Sequence, residues 1–227
     1  MAKPSSPKDI ARKNKDIREA VTAELDFDPV VDATNITIKT MNGDVALNGT
    51  VPSYPQYVEA AEATRRIDGV TGVRNHLMVM LPATHYRGDP VLTTAANNAL
   101  AQSVTVPGGV EASARDGDIW LTGMVRFGYQ REAAEAAVAG LTGVRHIADD
   151  IEILNTDQTQ DVTMLVQGAL DRYGLFHDDS EIAVAASDGA VTLSGRVRTW
   201  TEHDAAIGAA WMGSGVWSVR DELYVTG

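Results

Sequence analysis

The densest group of potential metal ligands is an acidic segment in the last third of the 227-residue sequence. Asp178, Asp179 and Glu181 stand within four positions of one another, and carboxylate oxygens are the ligands that hard cations such as calcium prefer. The alternating acidic residues and central glycine of an EF-hand loop are missing, so that motif is excluded. The three residues are weak candidates for a metal site, and an ordinary solvated acidic loop is the competing explanation.

Residue types that commonly catalyse reactions do not occur here at the spacings that catalysis needs. The five histidines include no pair four residues apart, the spacing of the HExxH zinc motif. No serine lies in a G-x-S-x-G elbow, and no glycine-rich phosphate loop is present. Because the chain has no cysteine, thiolate nucleophiles, disulfides and cysteine metal sites are excluded. The sequence predicts a protein that is not an enzyme and that holds no cofactor.

Four tryptophans are the better candidates for a function, and that function would be binding. Trp120, Trp200, Trp211 and Trp217 fall at positions of an internal repeat where the other copies carry different residues, most of them small or polar. Tryptophan at a surface often marks an interface. We therefore expect self-association or binding of a protein partner, chiefly through the third copy, with packing between the copies as the alternative.

The charge of the chain limits its partners. The formal net charge is -12, which disfavours electrostatic binding to nucleic acid or to an anionic lipid surface. Residues 156–227 hold 4 basic and 11 acidic side chains, whereas residues 1–15 form a basic tail. We expect no nucleic-acid partner, and a peripheral membrane contact would have to use the tail or a mode that does not depend on charge.

The N-terminal segment has no apolar core of a secretory signal, and no apolar run approaches the roughly 18 residues of a membrane span. These features predict a cytoplasmic protein.

One phrase occurs three times and organises the chain, at Asn42–Val51, Asp116–Val125 and Asp188–Val197. Each copy has Asn-Gly or Asp-Gly, an alternating apolar pattern, a glycine and a final valine. The dipeptide predicts a type I′ turn between two strands. The later glycine, at 49, 123 and 195, predicts either a helix crossing the sheet closely or a bulge.

Matching positions recur 74 and 72 residues apart, and an amphipathic helix precedes each phrase and a second helix follows it. The repeat predicts an α+β fold of three tandem α-β-β-α-β domains, each with two helices on a three-stranded mixed sheet. The expected bounds are 1–15 for the tail and 16–81, 88–154 and 160–226 for the domains. Met78, Met80 and Leu81 form an apolar end to the last strand of the first copy and are expected to pack in the interior or between domains, with a membrane-inserting patch as the alternative.

The phrase Gly43–Gly49, followed by Gly69–Val79, resembles the BON domain family (OsmY-like). Gly189–Gly195 with Gly215–Val225 resembles it comparably, whereas Asp149 and Asp221 replace an asparagine that the first copy keeps as Asn75. The resemblance implies non-catalytic binding modules, associated in bacteria with osmotic or other stress, the cell envelope and phospholipid surfaces, and in one cytoplasmic type with potassium. It supplies no catalytic residues.

Together these observations predict a bacterial stress- or envelope-associated binding and assembly module, whose partner is a second copy, another protein or a phospholipid surface. The alternative is a cytoplasmic sensor of a small ligand or of a cation such as potassium or calcium.

Overall fold

The structure is a computed structural model that describes residues 7–154, 162–172, 181–187, 189–213 and 216–226. Residues up to Thr84 form one compact unit, and His85–Thr226 form a second. The first unit contains one copy of the repeat, which we call domain 1. The second contains two copies, domains 2 and 3.

The elements of domain 1 follow the predicted order. They are α1 (Pro7–Phe27), β1 (Ile36–Met41), β2 (Asp44–Val51), α2 (Tyr54–Arg65) and β3 (Gly72–Val79). Helix α1 begins inside the segment that the sequence assigned to a basic tail, and Lys3 of that tail lies outside the described residues.

Domains 2 and 3 repeat this order. Domain 2 consists of α3 (Asp89–Gln102), β4 (Glu111–Arg115), β5 (Asp118–Val125), α4 (Gly128–Ala139) and β6 (His146–Ile153). Domain 3 consists of α5 (Val162–Arg172), β7 (Glu181–Ser187), β8 (Ala190–Val197), α6 (Trp200–Trp211) and β9 (Ser218–Val225).

Each domain contains one mixed sheet, and the residues of the repeated phrase form its middle strand. The strand orders are β1-β2-β3, β4-β5-β6 and β7-β8-β9, and the first pair is antiparallel and the second parallel in every domain. The last strand must be parallel because the second helix carries the chain back across the sheet. The predicted fold is confirmed.

The middle strand supplies the centre of each core. Leu47, Leu121 and Leu193 are fully buried at equivalent positions, and side chains alternate between the two faces of a strand. In domain 3 the buried face packs on Val166, Ala206 and their neighbours from α5 and α6. Both helices therefore cover one face of each sheet, and the opposite face, which we call the open face, carries the outward side chains.

The turns of domains 1 and 2 have the predicted geometry, and Asp188 of the third turn lies outside the described residues. Asn42 and Gly43 have φ of 55° and 91°, and Asp116 and Gly117 have 53° and 88°, as a type I′ turn requires at its two central residues.

The glycine that recurs at positions 49, 123 and 195, which we call the framework glycine, is required for a reason that the sequence did not reveal. Gly49, Gly123 and Gly195 have φ of 126°, 134° and 120°. Residues that carry a side chain avoid this region of backbone conformation. A Cβ at Gly49 or Gly195 would overlap the backbone carbonyl of Asn35 or Glu181, beside the antiparallel neighbour strand. The close approach is to backbone at the start of that strand rather than to a crossing helix.

The expectation that the two methionines pack in the interior was wrong, because Met78 and Met80 are each 65% exposed. Met78 points to the open face of domain 1, on the side of β3 opposite to Leu77 and Val79.

None of the described helices is both long enough and apolar enough to cross a bilayer.

Candidate functional site

One position of the last strand joins the sheet to the second helix in all three domains. It is filled by Asn75, Asp149 and Asp221, and in each case Oδ1 accepts a hydrogen bond from the backbone N–H two residues later, at 3.2, 3.1 and 3.0 Å. The other side-chain atom of each residue faces a helix position that recurs at the same offsets of 74 and 72. This position is therefore a strand-to-helix tie, repeated three times.

The chemistry of the tie differs between the domains in a matched way. Asn75 donates from Nδ2 to the backbone carbonyl of Tyr57 at 2.7 Å. Asp149 has no hydrogen to donate when ionised, and it pairs with Nε of Arg131 at 2.7 Å. Each change from asparagine to aspartate is thus accompanied by a basic residue on the helix.

In domain 3 the basic residue is His203, which lies 2.8 Å from Asp221 through Nε2 and 3.0 Å from Asp204 through Nδ1. Burial lowers the pKa of His203, but hydrogen bonds to Asp204 and Asp221 favour the charged ring, and the net result is a pKa raised above its ordinary value. The ring also makes an edge contact with Trp200, at 4.8 Å between centroids. Because the equivalent pairs in domains 1 and 2 are structural, this acid–histidine cluster is interpreted as a tie and not as a catalytic dyad.

The first residue of the second helix is aromatic in domains 1 and 3, whereas in domain 2 a ring from domain 3 lies against this position. Tyr54 stacks on Tyr57 in domain 1, at 5.6 Å between centroids, and Trp200 contacts His203 in domain 3. The equivalent residue in domain 2 is Gly128, and a Cβ there would overlap the indole of Trp211. Trp211 therefore fills the space that an aromatic side chain of domain 2 would take.

Arg131 completes this contact between domains 2 and 3. Its guanidinium carbon lies 5.3 Å from the centroid of the Trp211 ring, within the range of a cation–π interaction. Arg131 thus contacts Asp149 in its own domain and Trp211 in the next one. Trp211 therefore packs between two copies, the arrangement that the sequence left open as an alternative for the tryptophans.

A groove of about 520 Å³ runs beside this contact, and Trp217, 44% exposed, stands in its wall. Its other main lining residues are Arg131, Trp211, Ile151, Ile153 and Val219. The groove is formed by the end of β6 and the start of β9, which are both edge strands. Its size falls in the range of roughly 300 to 1,000 Å³ that is usual for small-molecule sites.

Trp120 lies at the centre of the open face of domain 2, as the alternation of the strand predicts. Its neighbours across the sheet are small, Ser113 on β4 and Ala148 on β6. The indole is half-buried, so part of the ring remains accessible. The equivalent residues in the other domains are Ala46 and Thr192.

The acidic segment gains no support as a metal site. Asp178 and Asp179 lie outside the described residues, and the carboxylate of Glu181 is 3.9 Å from the guanidinium of Arg196. Among the residues that the structure describes, no three histidine or acidic side chains gather as metal ligands would.

Sequence reasoning missed Gly128, Arg131 and the pair of His203 and Asp221. The repeat offsets contained the signal, because aligning the second helices places a glycine opposite two aromatic residues and places Arg131 opposite His203. The offsets do not show that Trp211 enters the vacant space.

The BON domain family model matches the chain at residues 13–80, 88–155 and 158–227. Over 127 residues, 54% of this chain, the sequence is 29% identical to osmotically-inducible protein Y of Escherichia coli strain K12. The match covers 63% of that relative, so this chain spans somewhat less than two thirds of its length.

Two structures of CdsD, a structural protein of the type III secretion system of Chlamydia trachomatis, also align with this chain. The C-terminal domain covers 92% of this chain and 96% of that chain at 14% identity, with a TM-score of 0.26. The other covers 92% and 91% at 13% identity, with a TM-score of 0.24. These scores are too low to bear on function. The three family matches, in contrast, account for most of the sequence, and the chain belongs to the BON domain family.

Proposed function

We propose that this chain is a non-catalytic, stress- or envelope-associated bacterial protein that binds and assembles with other macromolecules through the open faces of its BON domains. One observation carries the proposal: the three domains share their buried face and differ on their open face. On the middle strand the buried residues are Val45, Ile119 and Val191, whereas the outward residues that follow them are Ala46, Trp120 and Thr192. A repeated scaffold that keeps an apolar buried face and varies its open face presents a different binding surface in each copy.

Among the residues that the structure describes, the three most buried polar side chains support a non-catalytic role, because each has a structural partner. Thr64 donates to the carbonyl of Ala60 at 2.7 Å within its own helix. Glu202 accepts from the backbone N–H of Arg198 at 2.9 Å and belongs to the N-terminal cap of α6. His203 forms the tie to Asp221 described above. Catalytic groups, in contrast, usually lie in a cleft with a free face toward substrate.

The connection with stress comes from the family and from one relative. Osmotically-inducible protein Y of Escherichia coli is named for its induction by osmotic change, and the proposal extends a stress role to this chain. A cytoplasmic location is a separate prediction, which cell fractionation would test.

The binding function is tested by sedimentation velocity and by flotation with vesicles of phosphatidylethanolamine, with and without phosphatidylglycerol. We expect self-association or vesicle binding by the wild-type chain, and a loss of that binding in Trp120→Thr, which installs the residue of domain 3. A matched control is Thr192→Ala, which installs the residue of domain 1 on the face of domain 3. A wild-type chain that stays monomeric and binds neither kind of vesicle would contradict the proposal.

A second candidate function, sensing of a small ligand, is favoured by the groove between domains 2 and 3. Trp217 and Trp211 line it, so an occupant should change tryptophan fluorescence. Titration with potassium, calcium or candidate osmolytes would test this function, and a Trp217→Phe variant would identify the responding residue. Unchanged fluorescence across those titrations counts against the sensor.

A further inference from the structure

We propose that two copies of this chain associate by placing the open face of domain 1 of one copy against the open face of domain 2 of the other, with Trp120 over Ala46. This inference rests on the proposed binding and assembly function and names the partner as a second copy. The shape, charge and exposure of the two faces carry it.

The two faces have side chains of complementary size. On domain 2 the half-buried Trp120 stands between Ser113 and Ala148, so the largest side chain of this face has small neighbours. On domain 1 the order is reversed, because Ala46 lies between Lys39 and Arg74. The equivalent position of the sheet therefore carries a large ring in one domain and a slot between two long side chains in the other.

The dimensions of a sheet fit an indole into this slot. Neighbouring strands lie about 4.8 Å apart, so the side chains of Lys39 and Arg74 rise about that far to either side of Ala46. A cation within about 6 Å of a ring centroid is attracted to its face. Arg74 also pairs with Asp44, and a guanidinium held at its edge by a carboxylate keeps its planar faces for stacking on an aromatic ring.

The charges of the two faces are predominantly of opposite sign. The open face of domain 2 carries Glu111, Asp118, Asp150 and Glu152 against Arg115, whereas that of domain 1 carries Lys39 and Arg74 against Asp44. Opposite charges across an interface speed association and select the partner more than they raise affinity. Electrostatic attraction therefore favours a contact between unlike faces over a contact between two copies of the same face.

Both faces carry exposed methionines. Met41 and Met78 on domain 1 are 63% and 65% exposed, and Met124 on domain 2 is 56% exposed. Unbranched methionine side chains adapt readily to a partner surface. The open face of domain 3 offers no equivalent partner, because Thr192 replaces the tryptophan and Arg196, Arg220 and Glu222 mix both signs of charge.

The contact joins different surfaces, so two copies can form it twice as a reciprocal pair or once in a growing chain. Both arrangements make the same prediction for defective variants. A copy with a damaged domain 2 face still offers its domain 1 face, and the reverse holds for a copy with a damaged domain 1 face.

The test is complementation between two full-length variants, followed by sedimentation velocity across the micromolar range. Wild type should self-associate, whereas Trp120→Thr alone and the double variant Lys39→Glu/Arg74→Glu alone should each be monomeric. Mixing the two variants should restore a dimer, because the intact face of each meets the intact face of the other. Arg220→Glu, at the position of domain 3 equivalent to Arg74, should associate as wild type does.

The outcomes separate this inference from the proposed function. A monomeric wild type, variants that associate as wild type does, or a mixture that stays monomeric would each overturn the face-to-face contact. Self-association that survives in both variants, or vesicle binding by a monomeric wild type, would leave the proposed function standing while removing this inference. Circular dichroism of each variant confirms that a lost contact is not a lost fold.

Discussion

Arg131 and Trp211 make the contact that couples domain 2 to domain 3. The guanidinium carbon lies 5.3 Å from the indole centroid, and the same guanidinium pairs with Asp149 at 2.7 Å. Asp149 is only 17% exposed in its side chain, so the carboxylate depends on Arg131 for its countercharge. The strand-to-helix tie of one domain has thus become part of the contact with the next domain.

Replacing Arg131 should weaken this contact more than its surface location suggests. We expect Arg131→Ala to lower the free energy of unfolding by about 1–3 kcal/mol, since it removes the cation–π contact and leaves Asp149 without its partner. The free energy of unfolding of Arg131→Lys should lie between those of the wild type and Arg131→Ala, because an ammonium keeps the charge but loses the planar fork. Urea unfolding monitored by tryptophan fluorescence measures both.

A control for this series is Arg115→Ala, whose pair with Asp116 is about 80% exposed on both sides. Pairs of that kind contribute about 0–1 kcal/mol. Equal effects at Arg131 and Arg115 would show that Arg131 does not hold Asp149 and Trp211 together.

The space at Gly128 can be returned to domain 2 by mutation. Gly128→Tyr copies Tyr54 of domain 1, but the new ring would overlap Trp211, and we expect a loss of about 1–3 kcal/mol from overpacking. Trp211→Ala should cost about 2–4 kcal/mol by emptying the same space. The double variant should lose less than the sum of the two single variants, because the new tyrosine occupies the space that the indole has left.

The double variant should also uncouple the two domains. In scanning calorimetry we expect one shared transition of domains 2 and 3 in the wild type and separate transitions in the double variant. If the double variant lost as much stability as the two single variants together, the two side chains would not compete for one space.

The features that follow from the buried face of each sheet could be predicted from the sequence, whereas the contacts between copies could not. Alternation in the middle strand and the Asn-Gly turn specify local geometry, so the α-β-β-α-β order and the outward position of Trp120 could be predicted. Trp211 could not be placed, because its partner Gly128 is 83 positions away and is recognisable only by a missing side chain. The exposed Met78 was misjudged because an apolar end of a strand has the same sequence pattern whether or not a neighbour covers it.

Protonation of His203 should make the stability of domain 3 depend on pH. The folded state raises the pKa of His203 above its unfolded value, so its stabilising contribution is fully present below about pH 6.5. That contribution is lost as the pH rises through the folded pKa. The double variant His203→Tyr/Asp221→Asn installs the tie of domain 1 and removes this dependence.

The relevant measurement is the difference in free energy of unfolding between wild type and this double variant, followed from mildly acidic to mildly alkaline pH. We expect the difference to shift toward the double variant as the pH rises. A difference that stays constant with pH would show that His203 does not carry the charge assigned to it.

The framework glycines should tolerate no side chain, whereas a glycine in open surroundings should. Gly49→Ala and Gly195→Ala place a Cβ against a neighbouring carbonyl at a positive φ, and each should cost about 1–3 kcal/mol or more. Gly108→Ala is the matched control, because nothing lies within 4 Å of the new Cβ and its φ is not positive. Thermal unfolding of the three variants measures the contrast. Because Gly195 lies in domain 3 and Gly49 in domain 1, the two variants should destabilise different compact units, and a loss of the same size in Gly108→Ala would remove the distinction on which this prediction rests.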